Sequence, residues 1–509
     1  MSDKVMSRRQ AAELVKDHDS IVVCGCENLL LPDRILSALE ERFVSTGHPR
    51  GLTDIHPVIY GMGENCGLEH FAHEGFLARS IGSGFSFLKS SKTSQLVREN
   101  KLEAYVMPMG SIYRMLQNIS CREPYTLTDV GLDTFVDPRY GGGKFNSGTT
   151  RDIVRRMELG GHQMLCYENP KVDVAIIRAQ TADENGNLAL DQEPVTLGIY
   201  TMAAAAKACG GKVIAQVNRL AANDSLPPKH VVVPGIMVDA IVVEEDVPLS
   251  GGRLNSALSG ENRMPLGRLE NLPLDSRKVI LRRAAKEIGE PPKTVNLGVG
   301  IPGFLPRILV EENAMDGVTF FTEHGSLGGV PGDRSNFGTN INPTVLMDPT
   351  QVFQAFRGGQ LDMSFLGCGQ MDQYGNVNVS SFNGIVPGCG GFIDITHKTR
   401  KLVFCATFSS GGAEVEVAEG RLNIRQEGRF FKLVPEVEQI TLNGRSARSK
   451  GQTILFITER AVFRALDDGL HLIEIAEGVD MERDVLAHIP FQVVVDGDCK
   501  RMDAELFAQ

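Results

Sequence analysis

Glu323 is followed at once by His324-Gly325-Ser326-Leu327-Gly328-Gly329, a glycine-rich stretch that lets the backbone come close to the carboxylate. It closes the run VTFFTE (318–323), which reads as a strand. A glutamate used as a nucleophile needs a strand end to fix it, exclusion of water, and N–H donors for the oxyanion that forms on the attacked carbonyl. The spacing E-x-G-x-x-G meets the first need. A second cluster, Pro387-Gly388-Cys389-Gly390-Gly391, precedes the apolar segment FIDIT (392–396) and could direct further amide groups at the same point. Each cluster alone also describes an ordinary loop at a strand end. Together they read as a catalytic pocket.

A rival chemistry claims the same residues. TVNLGVGIPG (294–303) is a strand feeding Gly298-Val299-Gly300-Ile301-Pro302-Gly303, a literal G-x-G-x-x-G, and Glu323 lies about 20 residues further on, where a dinucleotide site places its ribose-binding acid. Pro302 stiffens a turn that such a site keeps free, however, and a carboxylate that binds ribose needs no glycine loop behind it. The spacing His70-x-x-His73 raises a metal, but no third ligand follows at regular spacing, so packing or substrate lining is the expectation and no metal is assigned. Gly141-Gly142-Gly143-Lys144 lacks the spacing and hydroxyl of a phosphate-binding loop, and no G-x-S-x-G elbow occurs. Asp372 and Asn376 are expected to cap backbone groups in a turn, and His324 to hydrogen-bond locally.

The elements that must carry these residues are short apolar runs, IVVCG (21–25), AIIRA (175–179), KVIAQV (212–217) and AIVVEE (240–245), alternating with helical patterns such as RILSALEERF (34–43). That rhythm predicts an α/β protein with largely parallel strands. Residues 246–275, rich in Gly, Pro and Ser, read as a linker between a domain over 1–245 and one over 276–509. Asp275 is placed to cap the helix that follows, with Ile280, Ala284 and Ile288 on its apolar face and Gly289 at its end. The second half repeats the first. An offset of 189 (364 minus 175) pairs Asp183 with Asp372, Gly186 with Gly375, Asn187 with Asn376 and Lys212 with Lys401. An offset of 273 (298 minus 25) pairs Gly25 with Gly298 and Arg34-Ile35-Leu36 with Arg307-Ile308-Leu309, although Cys26-Glu27-Asn28 stand where the second half has Val299-Gly300-Ile301.

Composition narrows the partners. A chain of 509 residues with 42% apolar and 23% charged residues and no apolar run long enough for a membrane span is expected to be soluble. A formal charge of −11 without a basic cluster argues against nucleic acid or an anionic membrane. Ten scattered cysteines without C-x-x-C pairs, and no apolar leader at the N-terminus, point to the cytoplasm.

In order, TVNLGVGIP, TEHGSLGGVP, FLGCGQMDQYGNVNVS and PGCGGFIDIT, joined from the first half by GLEHFAHEG, TDVGLDTFVDPRYGGGKFN, TADENGNLAL and VPGIMVDAIVV, resemble the bacterial propionate/acetate CoA-transferases of the succinyl-CoA:3-ketoacid CoA-transferase family. The resemblance implies two related open α/β domains in one chain with the site between them. It implies that Glu323 is the catalytic glutamate, passing CoA between short carboxylic acids by a ping-pong route through a mixed anhydride and a glutamyl-CoA thioester. Gly298, Val299, Gly300, Gly388, Gly390 and Gly391 are then expected to donate N–H groups to CoA or to the oxyanions. No cofactor is retained; acyl-CoA and the acid are the substrates, and a homo-oligomer is implied. Two positions depart from the family pattern. Met109-Gly110 stand in MPMG where LPQG is common, removing a polar anchor from the acid pocket, and Ser381 stands where NVSKF has lysine. These departures leave room for a larger or less polar acid, and for an acyl-CoA sensor without turnover; a thioesterase and a nicotinamide dehydrogenase complete the alternatives.

Overall fold

The computed structural model describes residues 3–88, 90–332, 336–382 and 385–508. Its first half is built on strands β1 (Ser20–Val23), β2 (Leu52–His56), β3 (Leu77–Gly82), β4 (Glu103–Val106), β5 (Val174–Asp183), β6 (Lys212–Ala221) and β7 (Ala240–Val243). They pair in the order β4-β3-β2-β1-β5-β6-β7, every pair parallel. β5 sits at the middle, and all ten of its residues are buried. A parallel strand covered by helices on both faces has no water-facing side, which is why it reads as a continuous apolar run.

The second half uses β8 (Lys293–Leu297), β9 (Val318–Phe320), β10 (Met363–Leu366), β11 (Lys401–Cys405) and β12 (Thr453–Ile457), paired β9-β8-β10-β11-β12 and again all parallel. Three further strands extend the sheet from β12, the first two antiparallel. The order β2-β1-β5-β6-β7 in one half is thus reproduced as β9-β8-β10-β11-β12 in the other. The chain consists of two related, mostly parallel α/β units.

The paired turns are alike in detail. Asn187 donates from its backbone to Asp183 at 2.9 Å and from its carboxamide at 2.8 Å, and its own Oδ1 accepts from the Gly235 N–H. Asn376 makes the same two bonds to Asp372, at 3.1 and 2.9 Å, and accepts from the Gly444 N–H. Gly186 and Gly375 supply the left-handed residue each turn needs, with φ of 93° and 71°.

Helix α1 (Asp33–Thr46) follows β1, buries Ile35, Leu36, Ala38 and Leu39, and ends at Gly47 in the left-handed conformation. Helix α2 (Met109–Ser120) follows β4. Helix α3 (Ser276–Ala285) is capped by the Asp275 carboxylate, which accepts from the Arg277 and Lys278 N–H groups. The stretch 246–275 before it consists of turns and short helices. Within it Ala257 and Leu258 pack on Val330 and Ile341 of the second half. Among the described residues no helix is long and apolar enough to cross a membrane.

The two halves meet along a seam of backbone. Gly84 faces Pro387 and Gly388 so closely that a Cβ on either glycine would overlap main-chain atoms of the other half. Gly390 donates to the Ser83 carbonyl at 3.0 Å, and Met109 donates to the Gly390 carbonyl at 2.9 Å. Asp394, at the start of helix α4 (Phe392–Thr396), accepts from the Gly110 N–H at 2.8 Å and so caps the first turn of α2 across the seam.

Candidate active site

Glu323 leaves the end of β9 and is 7% exposed. Its carboxylate is set by Asn296 on the neighbouring strand β8, whose carboxamide donates to Glu323 Oε2 at 3.2 Å and to the Phe321 carbonyl at 2.9 Å. One side chain thereby ties the glutamate to the backbone that carries it. Gly325 holds φ at 121°, and a Cβ there would overlap the Met347 carbonyl, so only glycine allows the loop to fold back beneath the carboxylate.

His324 is buried beside Glu323, its Nδ1 4.0 Å from Oε1 and without a hydrogen-bond partner. Burial lowers its pKa, with the Glu323 charge opposing, and its ring packs edge-on against Phe337. A neutral imidazole there places no positive charge against the Glu323 carboxylate. On the other side stands Gly391, where a Cβ would lie 3.5 Å from Glu323 Cγ. A larger side chain at that point would crowd Glu323.

Glu323 opens into a cavity of about 340 Å³ lined by both halves. The first half contributes Cys26, Glu27, Val58, Ile59, Phe87 and Met109; the second contributes Gly298, Val299, Phe382, Ile395 and Lys432 beside the Gly388–Gly391 loop. Burial pushes the thiols of Cys26 and Cys389 well up, so both stay protonated and neither competes as a nucleophile. Lys432 has no ion-pair or hydrogen-bond partner for its ammonium among the described residues, and burial lowers its pKa.

Of the residues singled out from the sequence, Glu323, Gly298, Val299, Gly388, Gly390, Gly391 and Met109 line this one cavity. Gly300 does not; with φ of 92° it opens the turn Ile301–Phe304. Gly110 lies against Asp394 and Phe353 at the seam. Ser381 lies outside the lining too, its carbonyl accepting from Asn378. His70 bridges Glu40 and Asp33, and His73 reaches the same Glu40, so the H-x-x-H pair belongs to a hydrogen-bond network outside the cavity lining. Among the described residues no cluster of side chains could hold a metal ion. Three residues escaped the sequence reading: Asn296, Glu27 and Lys432. For Asn296 a signal existed, a carboxamide inside the apolar strand TVNL.

The coenzyme A transferase family model matches residues 5–244. Caffeate CoA-transferase of Acetobacterium woodii is 39% identical, the match covering 99% of this chain and 98% of the relative. Acetate CoA-transferase YdiF of Escherichia coli K12 is 36% identical, over 99% of this chain and 95% of its own length. Among solved structures, acyl-CoA transferase YdiF of Escherichia coli O157:H7, in a thioester complex with CoA, superposes with a TM-score of 0.94 at 35% identity over 99% of this chain and 96% of that one.

Proposed function

The chain belongs to the coenzyme A transferase family, and from that premise we propose that Glu323 carries CoA between carboxylic acids as a glutamyl-CoA thioester. The enzyme is a CoA-transferase for which acyl-CoA is a substrate. The observation that carries the role of Glu323 is its burial in a cavity shared by two α/β units, with Asn296 holding one oxygen and the Gly388–Gly391 loop lining the same cavity.

In the first step an oxygen of the Glu323 carboxylate attacks the acyl-CoA carbonyl and the C–S bond breaks. This leaves an acyl-glutamyl anhydride and CoA thiolate. The thiolate then attacks the glutamyl carbonyl, expels the first acid as its carboxylate, and forms enzyme-bound glutamyl-CoA. The incoming acid runs the same two steps backwards. Each addition places charge on a carbonyl oxygen; amides of the Gly298–Val299 and Gly388–Gly391 loops are the nearest donors we assign to it. The burial of Glu323 limits the access of water to the anhydride. Lys432, unpaired in the same cavity, supplies a cation for the acceptor-rich CoA arm, a task that Ser381 cannot perform.

The related transferases act on acids as different as acetate and caffeate, and a cavity of about 340 Å³ has room for either. We assign a short carboxylic acid as acceptor. Ten free thiols suit a reducing cytoplasm. A homo-oligomer is expected on family grounds and is read by sedimentation.

Incubation with acetyl-CoA alone, followed by hydroxylamine or borohydride, tests the mechanism. Modification of Glu323, located by peptide mass, is the expected result. Unmodified protein that holds acetyl-CoA stoichiometrically would make it a sensor, and release of free CoA without an acceptor acid would make it a thioesterase.

A further inference from the structure

We propose that Glu27 sets the acid specificity of this transferase, selecting carboxylic acids whose acyl body carries a hydroxyl or ammonium group over plain alkyl acids and dicarboxylic acids. The proposal rests on the transferase reading of Glu323 and concerns the first half's share of the same cavity lining.

Among the described residues Glu27 and Glu323 are the two carboxylates on the cavity wall, and the first half's remaining share of the lining is Cys26, Val58, Ile59, Ser83, Phe87 and Met109. Its backbone is pinned. The Glu27 N–H donates to the Ile59 carbonyl at 2.8 Å, and its carbonyl accepts from the Gly61 N–H at 2.6 Å. Those bonds hold φ at 49°, a left-handed conformation that is unfavourable for a residue with a Cβ and that persists at sites where the surroundings impose it. The side chain gains nothing in return from the protein, for among the described residues it has no hydrogen bond and no ion pair. Burial alone pushes its pKa up to about 7. A half-buried carboxyl without a partner is a cost that a ligand can offset.

The polarity of the cavity says which ligand. Coenzyme A is rich in phosphate and amide-carbonyl acceptors and carries no cationic group, so it is matched by the unpaired ammonium of Lys432 and repelled by Glu27. Lys432 belongs to the second half and Glu27, like Met109, to the first. The Glu27 wall therefore takes the acyl end. There its oxygens accept from a donor. A plain alkyl chain would leave the carboxyl buried and unsatisfied, and a second carboxylate would be repelled by it at short range.

The test uses the full-length enzyme with acetyl-CoA as donor and four acceptors of like length: propionate, 3-hydroxypropionate, 3-aminopropionate and succinate. The readout is the ratio of kcat/KM for each acid to that for propionate. For the wild type the ratio is expected to be at least about tenfold for the hydroxy or the amino acid and below one for succinate. Glu27→Val should bring the favoured ratio to about one, and the isosteric Glu27→Gln should keep preference for the hydroxyl while losing any preference for the ammonium. The two arms thus separate the two donors. Equal ratios in the wild type and Glu27→Val, or a wild type that favours propionate or succinate, would overturn the proposal. Covalent labelling of Glu323 by acetyl-CoA is read on every protein. Its absence from the wild type overturns the transferase reading itself, a result distinct from labelled enzyme with flat acid ratios.

Discussion

Two places in the molecule have the same address and different contents. Ser20 pairs with Thr53 between β1 and β2, and Lys293 pairs with Val318 between β8 and β9. Counting the same number of residues past each partner, Val58 of the first half falls where Glu323 falls in the second, and Val23 falls where Asn296 does. Both Val58 and Glu323 line the one cavity, so the duplicated fold aims two strand ends at a common point. Only one of them is armed. The backbone architecture delivers position, and chemistry appears where a carboxylate and the amide that steadies it replace two valines.

The comparison breaks most sharply at Glu323, the proposed nucleophile. Glu323→Ala should lower kcat by on the order of 10⁶, as when another covalent nucleophile is removed, while CoA binding measured by calorimetry persists. Adding Val58→Glu to that protein should restore nothing, since the first half offers neither an Asn296 nor the glycine loop; recovered turnover would mean that position alone suffices. Asn296→Val, which copies the first half into the second, is expected to cost about a hundredfold in kcat through misplacement of Glu323, with the KM for acyl-CoA little changed.

Asp394 probes the seam that keeps the two addresses together. Burial raises its pKa to about 7, opposed by the Gly110 N–H and by the charge of Arg357. Because the folded value exceeds the unfolded one, its contribution to stability is complete at acid pH and is lost as pH rises through about 7. Wild-type melting temperature should fall between pH 5 and pH 8 by more than that of Asp394→Asn, which has no proton to lose; parallel profiles would refute the assignment. The smallest effects belong to the twin turns. Asn187→Ala and Asn376→Ala should each destabilise by about 1 to 2 kcal/mol in denaturant unfolding, and by like amounts. A large inequality would show that the repeat has drifted in energy although not in shape.

Much of this was readable in the chain. Fully buried parallel strands announce themselves as apolar runs, and a turn that needs a left-handed glycine between an aspartate and an asparagine repeats its letters because its hydrogen bonds repeat. The placement of Glu323 was legible for the same reason: a loop that folds back under a carboxylate requires Gly325 in place. What stayed hidden depends on contacts between distant segments. Asn296 reaches Glu323 across a pair of strands, and the backbone of Glu27 takes its unusual φ from Ile59 and Gly61. Lys432 carries no local signal at all. Gly110 adjoins Met109 in sequence yet faces Asp394, because consecutive residues in the first turn of a helix point in different directions.

The junction at Gly84 and Gly388 is made of main chain, and no side chain can be inserted into it. Its geometry is therefore indifferent to whatever residues stand at Glu27, Val58, Phe87 or Met109. An enzyme joined in this way can exchange the walls of its chamber one residue at a time, adopting new acids without ever moving the carboxylate of Glu323.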